Sequence, residues 1–429
     1  MNELPSRLRE LLKTERHSVR PGAALRESCA AGDSADALGG RYLEVGGTRC
    51  VIVEREYAPT EYHGAIRLRD CAEAARGRHQ LPVLAGRAFA CLPDAPLVFL
   101  DIETTGLAGG AGTYAFLVGC GVFDDEGFRT WQVFMCGHGA ERALLAALSA
   151  HLDDAGAIVT FNGKTFDVPI IETRYLFNRL SFPFGHLPHL DMLHIARRLW
   201  RREGSCALQA LEQALLGVTR EGDVPGAEIP SRYLHYIRTG DVRPLAPVLH
   251  HNRLDLLSLA VLTARAIRMA EDGPAVARDA GERLGLGGLY DRAGFHARAM
   301  ECYVSAAGEE ADREARIEAL RRLALQLRRE RRHHEAATVW QQVLTLGAGR
   351  TGAERQALEA LAIYHEHRSR DLRAAFTFAT RAAHVVTDGP NRPGLDYRLE
   401  RLKRKLAREG ADSHRQDAGG ALLDGVKRL

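Results

Sequence analysis

The stretch "LVFLDIETTGLAGGAGTYAFLVGCGVF" (97–123) constrains this chain more than any other. An apolar run, Leu97 to Leu100, passes directly into two acids, Asp101 and Glu103, and then into a Thr-Thr-Gly turn. Such a run reads as a buried strand. Along a strand, residues i and i+2 share a face, so both carboxylates leave the strand end together. Two like charges so placed raise each other's pKa unless a cation sits between them. Hard oxygen ligands suit Mg²⁺ or Mn²⁺ better than zinc. A solvated strand end bearing two exposed acids would also satisfy so short a motif, and the rest of the chain has to decide.

Residues 96–270 alternate between strand and helix patterns. "LVFLDIE", "TYAFLVGCGVF" and "GFRTWQVFM" read as three strands, with "DDEG" as the turn between the last two. "GAERALLAALSAHL" is an amphipathic helix and "AIVTFN" a short buried strand. Helices are expected over "DVPIIETRYLFNRL", "HLDMLHIARRLW", "SCALQALEQALLG" and "LAPVLHHNRLDLLSLAVLTARAIRMA". This is the plan of an α/β domain, a mixed sheet flanked by helices. Before it, residues 1–95 read as an N-terminal leader. Its "RYLEVGGTRCVIVEREY" is a hairpin turned by two glycines, and its isolated histidines, His17 and His63, carry no evident chemistry.

From 275 to 409 the chain is nearly all helical and repeats itself. Ala299, Ala337 and Ala375 recur at a spacing of 38, and the pairs Ala319-Leu320 and Ala357-Leu358 follow it. Small residues at fixed helix positions with such a period read as stacked helix hairpins of tetratricopeptide type. Residues 410–429, rich in Gly, Asp and Ser, are expected to be a disordered tail.

Composition narrows the function classes. At 429 residues the chain exceeds one compact core, and its 45% apolar content is ordinary for a soluble protein. No run of 18 or more apolar residues is present, so no membrane-spanning helix and no membrane partner are expected. The first residues lack the apolar core of a signal peptide, and the eight scattered cysteines form no C-x-x-C pair. These features suit a cytoplasmic protein without a zinc knuckle. A net charge of +3 permits nucleic-acid contact without arguing for it.

Two further motifs bear on the acids of the first strand. "VTFNGKTFDVPII" puts Asn162 and Asp167 between a strand end and a helix start, where Asp167 would equally serve as a helix N-terminal acid and Pro169 suits the first turn. "LHHNRLDLLSLAVL" puts Asp255 one turn after His251 on the same helix face. An acid facing inward from so apolar a helix needs a partner, and a buried arginine would serve as well as a cation.

The order D-x-E, N-x-x-x-F-D, H-x-x-x-D resembles the DEDD superfamily of 3′–5′ exonucleases on the ribonuclease H-like fold. Within it, "FLDIETTGL", "GTYAFLVG", "TFNGKTFDVPIIETRY", "LDMLHIARRLW", "VPGAEIPSRYLHYIRTGD" and "HHNRLDLLSLA" resemble the bacterial YprB-like ribonuclease H-like domain family, over about 97 to 265. The helical tail, with "LAIYHEHRSRDLRAA", is similar to the tail of those proteins. The resemblance implies a metal-dependent exonuclease that hydrolyses single-stranded DNA or RNA from the 3′ end with two divalent cations, Mg²⁺ or Mn²⁺. Asp101 would bridge both ions, Glu103 and Asp255 would hold the one carrying the nucleophilic water, and Asp167 would orient the other.

DEDD enzymes place a general base either as His in H-x-A-x-x-D or as Tyr in Y-x-x-x-D. This chain offers His250 at the first spacing and His251 at the second, with Asn252 in the place of the alanine. His251 is preferred because it shares the Asp255 face and fills the tyrosine's slot. Thr104, Thr105, Gly106 and Leu107 form the turn that in this superfamily receives the terminal nucleotide, Thr105 at the 3′-hydroxyl and Leu107 against a base. A plain tight turn, with Gly106 supplying positive φ, is the alternative. Asn162, Lys164 and Phe166 would flank the same groove, Lys164 at phosphate and Phe166 stacking on a base or simply packing in the core. "RRLWRR" (197–202) could follow a nucleic-acid backbone or be a solvated face. A catalytically weak nucleic-acid-binding or scaffold protein, working on a protein partner through its repeats, is the competing reading.

Overall fold

The computed structural model describes residues 33–86, 89, 95–106, 112–347, 352–385 and 392–426, with the backbone alone at 33, 78 and 410–426. His17 and Leu107 lie outside the described residues. A short helix α1 (Asp33–Ala37) precedes the hairpin β1 (Arg41–Val45) and β2 (Thr48–Tyr57). Its two turn residues, Gly46 and Gly47, have φ of 59° and 77°, as the expected glycine turn requires. A small ribbon, β3 (Tyr62–His63) with β4 (Ile66–Arg67), and helices α2 (Leu68–Arg76) and α3 (Leu81–Ala85) lead to β5 (Leu97–Thr104). Then come β6 (Ala115–Phe123), β7 (Phe128–Phe134), α4 (Glu141–Leu152), β8 (Ala157–Thr160), α5 (Asp167–Phe177) and β9 (His189–Asp191). Helices α6 (Met192–Leu199), α7 (Leu208–Leu211), α8 (Ile229–Thr239) and α9 (Ala246–Asp272) follow. A π-helical turn, Glu212–Leu216, extends α7.

One seven-stranded sheet has the order β1-β2-β7-β6-β5-β8-β9. β5 pairs antiparallel with β6 and parallel with β8, which makes the sheet mixed as expected. The apolar run of β5 is buried on both faces. Leu97 and Phe99 enter one core while Val98, Leu100 and Ile102 enter the other. Each such burial contributes about 1.5–3 kcal/mol. The strand's period of two then places Asp101 and Glu103 on the Phe99 face, against which α9 packs.

The structure departs from the sequence reading in three places. His189–Asp191, expected to be helical, is a strand pairing with β8, and the Asp191 side chain caps α6 by accepting from the Leu193 amide at 3.1 Å. Three residues are too few to show alternation, and the helical period that follows masks them. The leader hairpin pairs with β7, so it continues the sheet rather than forming an appendage. The expected disordered tail is helical over 410–426, within a final helix running Arg392–Val426.

Beyond α9 come α10 (Ala280–Ala293), α11 (His296–Ala306), α12 (Arg313–Arg329), α13 (His333–Thr345), α14 (Gly352–Tyr364), α15 (Leu372–Val385) and α16 (Arg392–Val426). The recurring alanines, Ala299, Ala337 and Ala375, are buried, as are Ala319, Leu320, Ala357 and Leu358. The second half of α9 shares one apolar cluster with residues of these helices, from Ala280 to Leu361. A single helix therefore carries site residues at one end and anchors the helical region at the other.

Candidate active site

The four acids of the sequence motifs converge. Asp101 and Glu103 leave the end of β5, Asp167 is the first residue of α5, and Asp255 projects from the first half of α9. Burial, then Asp255, Glu103 and Asp167, push the Asp101 carboxyl well above the usual carboxylate range. Glu103 is pushed up in the same way by burial and then by Asp255, Asp167 and Asp223. Asp167 rises to about 7 through burial, Asp191 and Asp255. It does not cap its helix: Phe166 holds the N-cap position, without a side-chain bond. Burial raises Asp255 too, against the pull of Arg220 and His251.

Asp101 is held from α9. Asn252, fully buried, donates to Asp101 Oδ2 at 2.7 Å and to its backbone oxygen at 3.3 Å. Gln132 of β7 orients that amide by donating to Asn252 Oδ1 at 2.8 Å. The approach depends on Gly119, which pairs with Asp101 across β6. A Cβ at Gly119 would stand 2.2 Å from Asn252 Oδ1, so the position admits no side chain.

Asp255 is held by Arg220, whose Nη2 donates to Oδ1 at 2.5 Å. The same guanidinium grips Glu212 through Nε and Nη2 at 2.6 and 2.7 Å, and Asp223 through Nη1 at 3.2 Å. The arginine salt bridge considered for Asp255 is thus present. Asp223 accepts from His251 Nδ1 at 2.8 and 2.9 Å. Burial would raise the Asp223 carboxyl, but the bond and charge of His251 hold it below the usual range. With Nδ1 bonded to Asp223, the ring turns Nε2 toward the acids, 3.6 Å from Asp255 Oδ2. His250 lies at the surface and turns to Arg253 at 3.1 Å; partial desolvation of its ring, and then Arg253, lower its pKa.

The turn after the acids is tied down. Thr104 Oγ1 donates to the Gly106 carbonyl at 2.8 Å, while Thr105 exchanges bonds with Tyr114, its Oγ1 accepting the Tyr114 amide at 3.0 Å. Gly106 does not take a positive φ, and among the described residues a Cβ there would meet nothing nearer than Thr113 at 3.9 Å. The backbone therefore does not demand glycine at 106, contrary to the plain-turn alternative. In the loop before α5, Asp191 accepts the amides of Asn162 at 2.8 Å and Lys164 at 3.1 Å. Asn162 takes φ of 67°, and its side chain accepts from Thr165. Lys164 is exposed, and Phe166 is half-buried against the core of the sheet's other face.

The donor set suits hard cations. Among the described residues, Glu103 and Asp167 have neither a hydrogen-bond donor nor a counter-cation on their carboxyls. Mutually repelling carboxylates of this kind gain most from a divalent ion. They do not form a finished cage: no three His, Cys, Asp or Glu groups among the described residues are preset as a ligand set. Water and phosphate oxygens would have to complete the coordination, as Mg²⁺ commonly requires.

Residues 98–267 match the family model of the RNase H superfamily. The chain carries an RNase H-superfamily domain. That RNase H-like domain spans β5 to most of α9 and contains every acid discussed above. The chain is also similar to the uncharacterized protein YprB of Bacillus subtilis (strain 168), 28% identical over 368 residues, covering 83% of this chain and 86% of that one. The similarity therefore reaches beyond the RNase H-like domain. Among the described residues no helix is long and apolar enough to cross a membrane.

The sequence reading missed the shell around the acids in the RNase H-like domain: Asn252, Gln132, Gly119, Arg220, Glu212, Asp223 and Asp191. Asn252 had a local signal, since an amide replaced the expected alanine. Arg220 and Asp223 sit in "TREGDVPG", a polar loop like any other until α9 is placed beside it.

Proposed function

We propose that the chain is a metal-dependent nuclease that removes nucleotides from the 3′ ends of single-stranded DNA or RNA. The observation that carries this reading is the meeting of four carboxylates from β5, α5 and α9, two of them without any donor, beside a His251–Asp223 pair. Asp101, Glu103, Asp167 and Asp255 would hold two Mg²⁺ or Mn²⁺ ions. Bound there, the ions supply Lewis-acid stabilisation of the attacking and leaving oxygens. His251 Nε2 takes the proton of the attacking water, and Asp223 stabilises the imidazolium that results. Water oxygen bonds to phosphorus as the bond to the leaving 3′ oxygen breaks, releasing a 5′-mononucleotide. Asn252 and Arg220 orient Asp101 and Asp255. Thr104, Thr105, Gly106 and Leu107 receive the terminal nucleotide, with Asn162, Lys164 and Phe166 along the groove.

The Arg220–Asp255 bond favours a second reading, a nucleic-acid-binding or scaffold protein whose tetratricopeptide-like repeats do the work, because it already neutralises one ligand acid. One assay separates the two. Pure protein and its Asp101→Asn variant are incubated with 5′-labelled single-stranded DNA and RNA in Mg²⁺, Mn²⁺ or EDTA. A metal-dependent ladder shortening from the 3′ end, absent in the variant, is expected. No cleavage, or equal cleavage by the variant, would refute the assignment.

A further inference from the structure

A cleft of about 850 Å³ opens between the end of α6 and the helical region, away from the carboxylates. Among the described residues, seven arginines line it against two glutamates. Arg197, Arg198, Arg201 and Arg202 come from the RNase H-like domain, and Arg292 and Arg322 face them from α10 and α12. Arg202 and Arg322 are neutralised by Asp312 and Glu318. Arg197, Arg198, Arg201 and Arg292 have no acidic partner among the described residues.

Two walls of like charge would separate if nothing fixed them. Here they are fixed by close backbone packing. A Cβ at Gly285 would stand 2.2 Å from the Arg198 carbonyl oxygen, and one at Gly281 2.6 Å from Arg202 Cδ. Burial, and then Arg292, lower the Arg198 pKa, so the cation there lacks a compensating anion. The "RRLWRR" run thus forms one wall of this cleft, with Arg198 half-buried and Arg197, Arg201 and Arg202 exposed.

We propose that this cleft binds the phosphate backbone of single-stranded nucleic acid on its way to the carboxylate site. Guanidinium groups pair with phosphate in a planar, bidentate fashion. Among the described residues no aromatic side chain lines the cleft, so bases would not stack there and recognition would ignore sequence. The position suits a strand leading to the acids. α6 starts directly after Asp191, which holds the Asn162–Lys164 loop before Asp167. Eight residues of helix put the cleft about 12 Å further on. An acidic protein segment is the competing occupant, and the common wall with the RNase H-like domain favours the nucleic acid. The inference rests on the nuclease reading for the strand's destination, but not for binding itself.

The test measures binding in EDTA, without cleavage, by anisotropy of a fluorescein-labelled single-stranded oligonucleotide of about 20 nucleotides, a length above most single-strand site sizes. Salt is varied for the wild type, for Arg198→Gln with Arg292→Gln, and for the exposed Arg201→Gln, with circular dichroism as the folding control. Each lost phosphate contact should flatten the slope of log K on log salt by about 0.7, so the double variant should lose about 1.4 and bind about 25-fold more weakly at 0.1 M salt than wild type. Arg201→Gln should lose half that slope. Folded variants with wild-type affinity and slope would overturn the proposal, even for an active nuclease. So would displacement of the oligonucleotide by an equal concentration of poly-glutamate. Arginine-dependent binding with no cleavage by wild type would sink the nuclease reading and leave the cleft standing.

Discussion

Replacing Arg220 with methionine removes one guanidinium from among three carboxylates and keeps most of its apolar stem. The side chain is 5% exposed, and its partners Glu212, Asp223 and Asp255 are 2%, 11% and 17% exposed. A hydrogen bond to a charged group is worth about 1.5–3 kcal/mol. Asp223 keeps its bonds from His251 and the Val224 amide, and Asp255 can turn toward water. Glu212 keeps only the Ser258 hydroxyl and sits deepest. The expected cost is therefore that of breaking one buried ion pair, about 3–5 kcal/mol, not the sum over three. Urea unfolding in EDTA should show it, and adding Glu212→Gln to the variant should recover part of the loss. Mg²⁺ should then stabilise Arg220→Met more than wild type, because an ion at the acids supplies the missing charge. A loss below about 1 kcal/mol, the range of surface pairs, would refute the buried-network account. Equal Mg²⁺ effects would refute the view that arginine and cation compensate the same charge.

Other outcomes follow from the same geometry. His251→Ala should cut turnover by about 10²–10⁴-fold and His250→Ala only slightly, with Asp223→Asn resembling the former; the reverse ranking of the two histidines would move the general base to His250. Gly119→Ala should destabilise by about 1–3 kcal/mol and lower turnover by displacing Asn252, whereas Gly106→Ala should melt like wild type; thermal melting of both decides. Glu366 should make stability acid-sensitive. Burial would raise its carboxyl, but bonds from Arg401 and Lys405, with Arg398 beside them, hold it at about 2. Its contribution is present above the unfolded value of 4.5 and is lost as pH falls from there toward about 2. Its partners are 22–40% exposed, which limits the loss to about 1–2 kcal/mol. Glu366→Gln should remove that part of the pH dependence, and an unchanged acid transition would refute it.

Much of the layout was legible along the chain because it depends on local periodicity. The apolar run of β5, its two acids on one face, the glycine-turned hairpin and the 38-residue alanine register all follow from periods of two, of 3.6 and of the repeat. The pairing of His251 with Asp255 on one helix face is of the same kind. What binds the acids into a site is not local. Asn252 reaches Asp101 across 151 positions, Arg220 reaches Asp255 across 35, and the arginines of α6 meet Arg292 only because α10 packs on it through glycine. A polar residue in a loop carries no mark of the charge it will face. That is decided when burial excludes water and each charged group must find its partner in whatever element the fold has brought alongside.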